Sequence, residues 1–239
     1  MTRTRFFRRY LGGLLLALLT SAAAVSAQSA IFNIPSTDVM GEKRFYVEAD
    51  FLAHFGKWDR GGFQSYGYRT VYGVRKKLEV GINFFYTRNG STGPKELQPN
   101  FKYKIYEKEK YGLAVAAGAQ VFMPLNRSAG RRTYVMLYSN ASKVFKRTNE
   151  TRVTGGFYRI AGAESDFGSR SGALLGIEQP IKGKLSFAGD WYTGKNRLGY
   201  AAAGLTYSFT KRQFLMVGYN FGNEGRANNY FSAFYGFTY

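Results

Sequence analysis

The chain has 239 residues, a formal net charge of +19 and no cysteine, and phenylalanine and tyrosine together supply 40 of its residues. The absence of cysteine excludes a disulfide framework and a lipid-modified cysteine anchor. The positive charge raises the possibility of a nucleic-acid partner, but the basic residues recur in short clusters between apolar segments and form no single stripe, which favours solvated turns.

Residues 1–27 have the pattern of a secretory signal peptide. Four arginines among the first nine residues precede an apolar run over residues 11–25, and the small residues of the Val-Ser-Ala sequence at 25–27 predict cleavage after Ala27. The run is shorter than the roughly 20 residues that a spanning helix needs. Cleavage removes 27 of the 239 residues and lowers the net charge to +15. Export argues against nucleic acid as a partner.

The next segment, residues 28–42, shows no clear periodicity in its sequence QSAIFNIPSTDVMGE. Two interpretations remain open: a periplasmic tail, or a small plug folded into the mouth of the domain that follows. The sequence pattern does not decide between them.

From residue 43 onward, apolar and polar residues alternate with period two, which is typical of strands with one face in an apolar medium. In the first segment Phe45, Val47 and Phe51 share one parity, while Glu48 and Asp50 share the other. Each segment has about ten residues, the length that a tilted strand needs to cross a bilayer. The twelve predicted strands cover residues 44–54, 65–74, 78–87, 97–106, 111–122, 133–144, 151–161, 171–180, 185–193, 198–209, 214–222 and 230–239.

Three of these segments carry weaker patterns. Residues 133–144 and 151–161 mix polar and apolar side chains on both parities, and the Ala-rich segment 111–122 could be helical on local propensity.

The connectors between the segments alternate in length. Short, charged connectors such as 75–77 and 181–184 alternate with longer ones rich in Gly, Asn and Ser, as in 55–62 and 223–229. This alternation is typical of periplasmic turns and external loops. The sequence therefore predicts an all-β fold, a transmembrane antiparallel up-and-down β-barrel over residues 43–239, with both termini in the periplasm.

The polar parity predicts the lining of the barrel interior. In the well-patterned strands the apolar parity carries no Lys or Arg, each of which would cost about 2–4 kcal/mol at the bilayer midplane. Charges of both signs occupy the other parity, where they could line a narrow channel and set its ion preference. The predicted lumen and constriction residues are Glu48, Asp50, Arg69, Glu79, Lys102, Lys104, Glu178 and Asp190. An equally weighted interpretation is that these charges pair with one another and fill the lumen.

The last nine residues, FSAFYGFTY, place Phe231, Tyr235, Phe237 and Tyr239 on one parity. This tail resembles the C-terminal strand of bacterial outer-membrane β-barrel proteins. The resemblance implies recognition by the barrel-assembly machinery and insertion among outer-membrane lipid and lipopolysaccharide. Tyr239 departs from the phenylalanine usual at this position. Residues 72–89, YGVRKKLEVGINFFYTRN, are similar to hairpins of putative outer-membrane uptake channels.

The catalytic inventory is small. The single histidine, His54, is predicted at the external end of the first strand, opposite Ser65 if the intervening loop closes a simple hairpin, and such a pair could activate the hydroxyl. Both residues are predicted to face the lumen, so a rim histidine is the simpler interpretation. One histidine and no carboxylate-rich loop predict neither a metal site nor a cofactor.

Three functions follow from this pattern. The first is a passive channel for small hydrophilic solutes, with a mild preference for anions if Arg69, Lys102 and Lys104 face the constriction. The second is a non-conducting structural or binding barrel that contacts lipopolysaccharide or a partner through basic loops. The third is a rim hydrolase that uses Ser65 and His54. The basic residues of the predicted loops are Lys57, Arg60, Arg88, Lys95, Arg131, Arg132 and Arg226.

Overall fold

The computed structural model describes residues 29–90 and 92–239, and the predicted signal peptide lies outside them. Twelve β-strands follow one another in the described chain, and the predicted count is confirmed. The strands are β1 (Phe45–His54), β2 (Phe63–Arg75), β3 (Leu78–Arg88), β4 (Lys95–Lys108), β5 (Leu113–Pro124), β6 (Tyr134–Phe145), β7 (Thr151–Ala161), β8 (Ser171–Lys182), β9 (Leu185–Tyr192), β10 (Tyr200–Ser208), β11 (Gln213–Gly222) and β12 (Tyr230–Thr238).

Each strand pairs antiparallel with its sequence neighbours, and β1 pairs with β12 to close the barrel. The seam runs from Tyr46, opposite Thr238, to Ala53, opposite Phe231. The Tyr239 N–H donates to the Phe45 carbonyl at 2.8 Å, and the reverse bond measures 3.1 Å. Closure removes the free sheet edges that could not be satisfied in lipid. β5 is a regular strand, because pairing with both neighbours outweighs its local propensity.

The connectors fall into two groups at opposite rims. Those following even-numbered strands have two to five residues, and those following odd-numbered strands have six to nine. We call the first rim periplasmic and the second external. Gly112 and Gly183 allow the tight turns, since their φ angles of 62° and 58° suit glycine. Short 3-10 turns interrupt several connectors, and no helix of the described residues is long and apolar enough to cross a membrane.

Large apolar side chains cover the outer wall. Ile82, Phe101, Leu137, Leu205 and Tyr235 are between 42% and 51% exposed. A soluble monomer rarely leaves so continuous an apolar surface open to water. The wall therefore faces lipid, with aromatic rings towards both rims, as at Tyr86 and Tyr207.

The inner wall has two different halves. Polar side chains line the inside of β2, β3 and β4, whereas Met136, Tyr138, Tyr158, Ile160 and Leu174 form part of a buried apolar cluster inside β6, β7 and β8. This cluster explains the weak patterns of the sixth and seventh predicted strands, since both faces of β6 and β7 meet apolar surroundings. The residues of this polypeptide that precede β1 pack against the cluster.

A charge introduced at the middle of the outer wall tests its lipid contact. Leu205 of β10 lies opposite Val217 of β11 and is 42% exposed. We expect Leu205→Arg to lower the free energy of unfolding in lipid vesicles by about 2–4 kcal/mol. Leu113→Arg, at the periplasmic end of β5, is the control and should lower it by about 0–1 kcal/mol. Equal losses in denaturant titrations of both variants would contradict the assigned membrane depth.

Candidate functional site

Residues 29–40, here called the luminal segment, lie inside the barrel before β1 begins. A bridge between Ala30 and Pro35 makes the segment turn back on itself, and the Ile31 N–H donates to the Ile34 carbonyl at 2.9 Å. Ile31, Phe32 and Ile34 are no more than 2% exposed. Their burial against the inner apolar cluster supplies a hydrophobic contribution that a free tail would lack.

The wall has glycines at the positions where the Phe32 ring packs against it. A Cβ at Gly204 would lie 2.6 Å from the Phe32 ring, and one at Gly218 would lie 2.5 Å from it. Any larger residue at these two adjacent positions would collide with the ring. Phe234 completes the seat by an edge-on contact with Phe32, with ring centroids 5.3 Å apart.

Asp190 on β9 holds the tip of the luminal segment. One carboxylate oxygen, Oδ2, accepts hydrogen bonds from the backbone N–H groups of Phe32, Asn33 and Ile34 at 2.9, 2.5 and 2.8 Å. The Asn33 side chain donates to Asn220 Oδ1 at 2.7 Å. The segment has no strand partner for these N–H groups, and a buried N–H without an acceptor is costly. The carboxylate therefore accepts the hydrogen bonds that the carbonyl groups of a neighbouring strand would otherwise accept.

A buried ion pair holds both ends of the luminal segment. Glu79 and Lys102 face each other across β3 and β4, with Lys102 Nζ 3.0 Å from Glu79 Oε1. Glu79 Oε2 accepts from the Met40 N–H at 2.6 Å, and Lys102 donates to the Ser29 carbonyl at 2.8 Å. Both charged side chains are almost fully buried. Removing either partner would leave an uncompensated charge in the interior.

Arg152 links the luminal segment to a third part of the wall. Its guanidinium contacts Asp38 and forms two hydrogen bonds with Glu178 at 2.5 and 2.7 Å. Burial alone would raise the pKa of the Asp38 carboxyl, but the Arg152 guanidinium outweighs it, so that this pKa lies below its ordinary value. The pair therefore persists above the ordinary pKa of aspartate and weakens as the pH falls through the lowered value.

Arg69 forms a separate cluster above the luminal segment. Its Nε lies 2.6 Å from Asp50 Oδ2 and 3.3 Å from Glu48 Oε1. The guanidinium also stands 5.6 Å from the centroid of the Phe85 ring, within cation–π range. Arg69 thus forms ion pairs with both carboxylates, and its side chain faces an open cavity.

That cavity, here called the vestibule, has a volume of about 570 Å³ and lies in the external half of the barrel. Asn33, at the tip of the luminal segment, forms part of its floor. Its polar walls include Ser65, Thr87, Gln98 and Gln120. Its aromatic walls are formed by Phe63, Phe85, Phe122, Tyr192, Tyr200 and Tyr230.

Arg197 lies across the vestibule mouth. It belongs to the loop between β9 and β10, and its two terminal nitrogens lie 2.7 and 3.1 Å from the carboxylate of Glu96 on β4. Its guanidinium also stands 5.8 and 5.7 Å from the ring centroids of Phe122 and Tyr134, which are stacked on each other. A bidentate pair of this kind fixes the loop over one side of the opening.

Beneath the vestibule the interior narrows to a cavity of about 50 Å³. The two cavities share Asn33, Arg69 and Gln120. A space of this size holds a few water molecules and no larger solute. Asn33 of the luminal segment thus lies where the interior narrows between the two cavities.

All eight predicted lumen residues face inward, but they meet different partners. Arg69 lines the vestibule, whereas Lys102 pairs with Glu79, and Lys104 Nζ lies 2.7 Å from Glu107 Oε1. Glu48, Asp50, Glu178 and Asp190 hold Arg69, Arg152 or the luminal segment. Lys102 and Lys104 are thus paired with carboxylates and do not line the vestibule. They provide no free cation there that would favour anions.

Sequence reasoning missed four charged residues of the site: Asp38, Glu96, Arg152 and Arg197. Glu96 shares the inward parity of Gln98, but the predicted strand begins one residue after it. Arg152 lies in a strand with a mixed pattern, and Arg197 lies in a loop that has no periodicity. The inward position of Glu96 could have been found by extending the predicted strand by one residue.

The predicted pairing of His54 with Ser65 is wrong in register. His54 lies opposite Phe63, and Ser65 lies opposite Leu52, because the hairpin pairs two residues further than predicted. His54 Nδ1 lies 2.6 Å from the Asn229 carbonyl, and the Ser65 hydroxyl accepts from Thr87 at 2.9 Å. Within residues 29–90 and 92–239 the two side chains share no hydrogen bond, and no group of three metal-ligating side chains occurs there.

The aromatic tail lies on the outer wall. Phe231, Tyr235 and Phe237 alternate with the inward residues Ser232, Phe234 and Gly236 of β12, and Tyr239 is 77% exposed at the periplasmic rim. This position is compatible with recognition of these side chains from the lipid side, which stays a prediction.

Comparison with solved structures gives neighbours that are bacterial outer-membrane proteins. An outer membrane channel from Pseudomonas putida F1 aligns at 16% identity over 84% of this chain and 96% of the channel, with a TM-score of 0.51. Outer membrane phospholipase A from Escherichia coli aligns at 14% identity over 84% and 94% of the two chains, with a TM-score of 0.49. A toluene transporter from Ralstonia pickettii aligns at 11% identity over 90% and 96%, with a TM-score of 0.45.

No protein-family model and no curated protein matches the sequence. The likeness to the Pseudomonas channel is one of fold. Together with the lipid-facing outer wall and the closed sheet, it defines the chain as a bacterial outer-membrane β-barrel of twelve strands. Its location is the outer membrane.

Asp190 provides a test of how the luminal segment is held. The chain has no cysteine, so Ile34→Cys introduces a single reactive thiol in a side chain that is fully buried. We expect Asp190→Ala to raise the labelling rate of this thiol by a maleimide roughly tenfold or more, because three buried N–H groups lose their acceptor. Asp166→Ala, in an external loop, is the control. An unchanged rate in Asp190→Ala would contradict the assigned role of the carboxylate.

Proposed function

We propose that this protein is an outer-membrane channel for small solutes and that the luminal segment closes it in the resting state. The observation that carries the proposal is the vestibule, which narrows at Asn33, Arg69 and Gln120. A cavity of about 570 Å³ is large enough for a small solute. The obstruction below it is a segment outside the β-ladder.

The luminal segment can move without breaking the barrel. Its hydrogen bonds to the wall are made largely by side chains at separate points, such as Asp190 and Glu79. The wall itself is held by twelve strand pairings that form a closed sheet. Because local opening breaks only the contacts of the opened part, release of the segment requires far less free energy than unfolding of the barrel.

The lining of the vestibule indicates the kind of solute. Six aromatic rings provide apolar faces, while hydroxyl and amide groups such as Ser65, Gln98 and Gln120 provide hydrogen-bonding groups. A mixture of apolar walls and a few polar groups suits a small amphipathic solute. A preference for anions would depend on Arg69 and Arg197, the two cations that line the cavity.

The alternative is a non-conducting binding barrel, and the filled interior favours it. Lys102 and Glu79 are buried as a pair, and Phe32 is seated on wall glycines. In this case the vestibule and the external loops would bind a ligand without passing it.

Planar-bilayer conductance distinguishes the two functions. We expect the mature chain to show rare, small steps and a chain lacking residues 29–40 to show steady conductance, because the deletion removes the obstruction between the cavities. Asp190→Ala should raise the open fraction roughly tenfold, whereas Asp166→Ala should leave it unchanged.

Correct folding of each variant is checked by its heat-dependent migration in detergent gels. A folded deletion variant that gives no steps would overturn the channel and leave the binding barrel. Steady conductance of the mature chain equal to that of the deletion variant would overturn the closing role of the luminal segment.

A further inference from the structure

An aromatic groove lies on the outer wall near the external rim. Tyr66 and Tyr68 of β2 and Phe84 and Tyr86 of β3 line a cavity of about 660 Å³, together with residues of the neighbouring loops. Tyr68 is 63% exposed, the greatest exposure among these four rings. The groove is separate from the lumen, because all four side chains have the outward parity.

The strand register arranges the groove in two rows. Tyr66, Tyr86 and Lys95 form the row nearest the external rim, where they lie opposite one another across β2, β3 and β4. Tyr68, Phe84 and Leu97 form the next row, about 7 Å deeper, given the rise of a strand. The groove therefore changes from one cation and two phenols at the rim to one phenol and two apolar side chains towards the bilayer centre.

The rim of the groove is held in place by Asn126. Its side chain donates to the Gly93 carbonyl at 2.8 Å and accepts from the Lys95 N–H at 3.1 Å, which links two external loops. Gly93 lies against Tyr86, since a Cβ there would approach the ring within 2.9 Å. The opening is thus bounded by fixed backbone.

Positive charge is concentrated on this side of the barrel. The three external loops before β6 contain five basic residues and one acidic residue, whereas the three later ones contain four basic and three acidic residues. Arg88 and Lys95 add two cations at the ends of β3 and β4. In residues 29–90 and 92–239 neither forms an ion pair. The Arg88 guanidinium lies 5.7 Å from the Trp58 ring centroid, and Lys95 Nζ lies 6.0 Å from the Tyr86 ring centroid.

We propose that this groove binds a phosphorylated glycolipid of the outer leaflet, of the lipid A type. Its phosphate would contact Lys95 and Arg88 at the rim, and an acyl chain would lie over Tyr68 and Phe84. Three properties match such a lipid: the cations Lys95 and Arg88 at the headgroup level, the two phenols in the row of Lys95, and the largely apolar row towards the bilayer centre. The site is independent of conduction through the lumen.

Native mass spectrometry of the refolded barrel with lipid A in detergent tests the proposal. We expect wild type to retain lipid A, and Arg88→Ala/Lys95→Ala to bind it roughly tenfold more weakly or worse, because two cations near the phosphate are lost. Tyr68→Ala/Phe84→Ala should weaken binding of lipid A and of its dephosphorylated form alike. Dephosphorylated lipid A should bind wild type and the charge variant equally.

The chain offers a matched control at the other rim. Lys108 lies 4.9 Å from the Tyr111 ring centroid at the periplasmic end of β4, where the same chemistry meets the inner leaflet. Lys108→Ala/Tyr111→Ala should retain lipid A as wild type does. Equal loss in this control, or unchanged binding in the charge variant with a folded barrel, would overturn the site, as would equal retention of phosphatidylethanolamine by wild type.

Discussion

The structure depends on the need to pair every backbone N–H and carbonyl of a wall that faces lipid. Twelve antiparallel strands meet this need only when β12 returns to β1, and the terminal residue takes part in the seam through Tyr239 and Phe45. Once the wall is complete, its outward side chains can be largely apolar. Most polar side chains then lie at the rims and in the interior.

Backbone groups inside the barrel also need hydrogen-bond partners. The luminal segment lies outside the ladder, and its N–H groups need acceptors that the paired wall no longer offers. Asp190 and Glu79 provide them as carboxylates, and Asn140 donates to the Pro35 carbonyl at 2.5 Å. These inward polar residues have a structural partner within the chain, so a charged lumen does not by itself indicate a water-filled pore. The vestibule, where Arg69 and Arg197 lie, is an open part of the interior.

The architecture could be predicted from the sequence because lipid imposes a strict period of two on each strand. The strand count, the alternation of connectors and the inward parity of residues such as Glu79 and Lys102 all follow from that period. Their direct pairing across β3 and β4 is visible once the register is known. Tyr138 and Ile160 obscured the pattern of β6 and β7, because an apolar interior removes the contrast between the two faces.

The contacts of the luminal segment could not be predicted, since residues 28–42 have no period and their partners are remote in sequence. Arg197 was missed for the same reason: its role depends on a loop that meets Glu96 across the barrel mouth. Side chains on a ladder are positioned by local rules. Those on irregular chain are positioned by the assembled wall, which a sequence pattern does not describe.

The remoteness of these partners has a consequence for the timing of assembly. Phe32 and Asp190 are separated by 158 residues, and Asn33 and Asn220 by 187. The luminal segment therefore leaves the ribosome long before the strands that hold it, which are made near the end of synthesis. Contacts of such long range form late and slowly. During that interval Ile31, Phe32 and Ile34 are exposed, and a periplasmic chaperone that shields them would protect the chain before its interior exists.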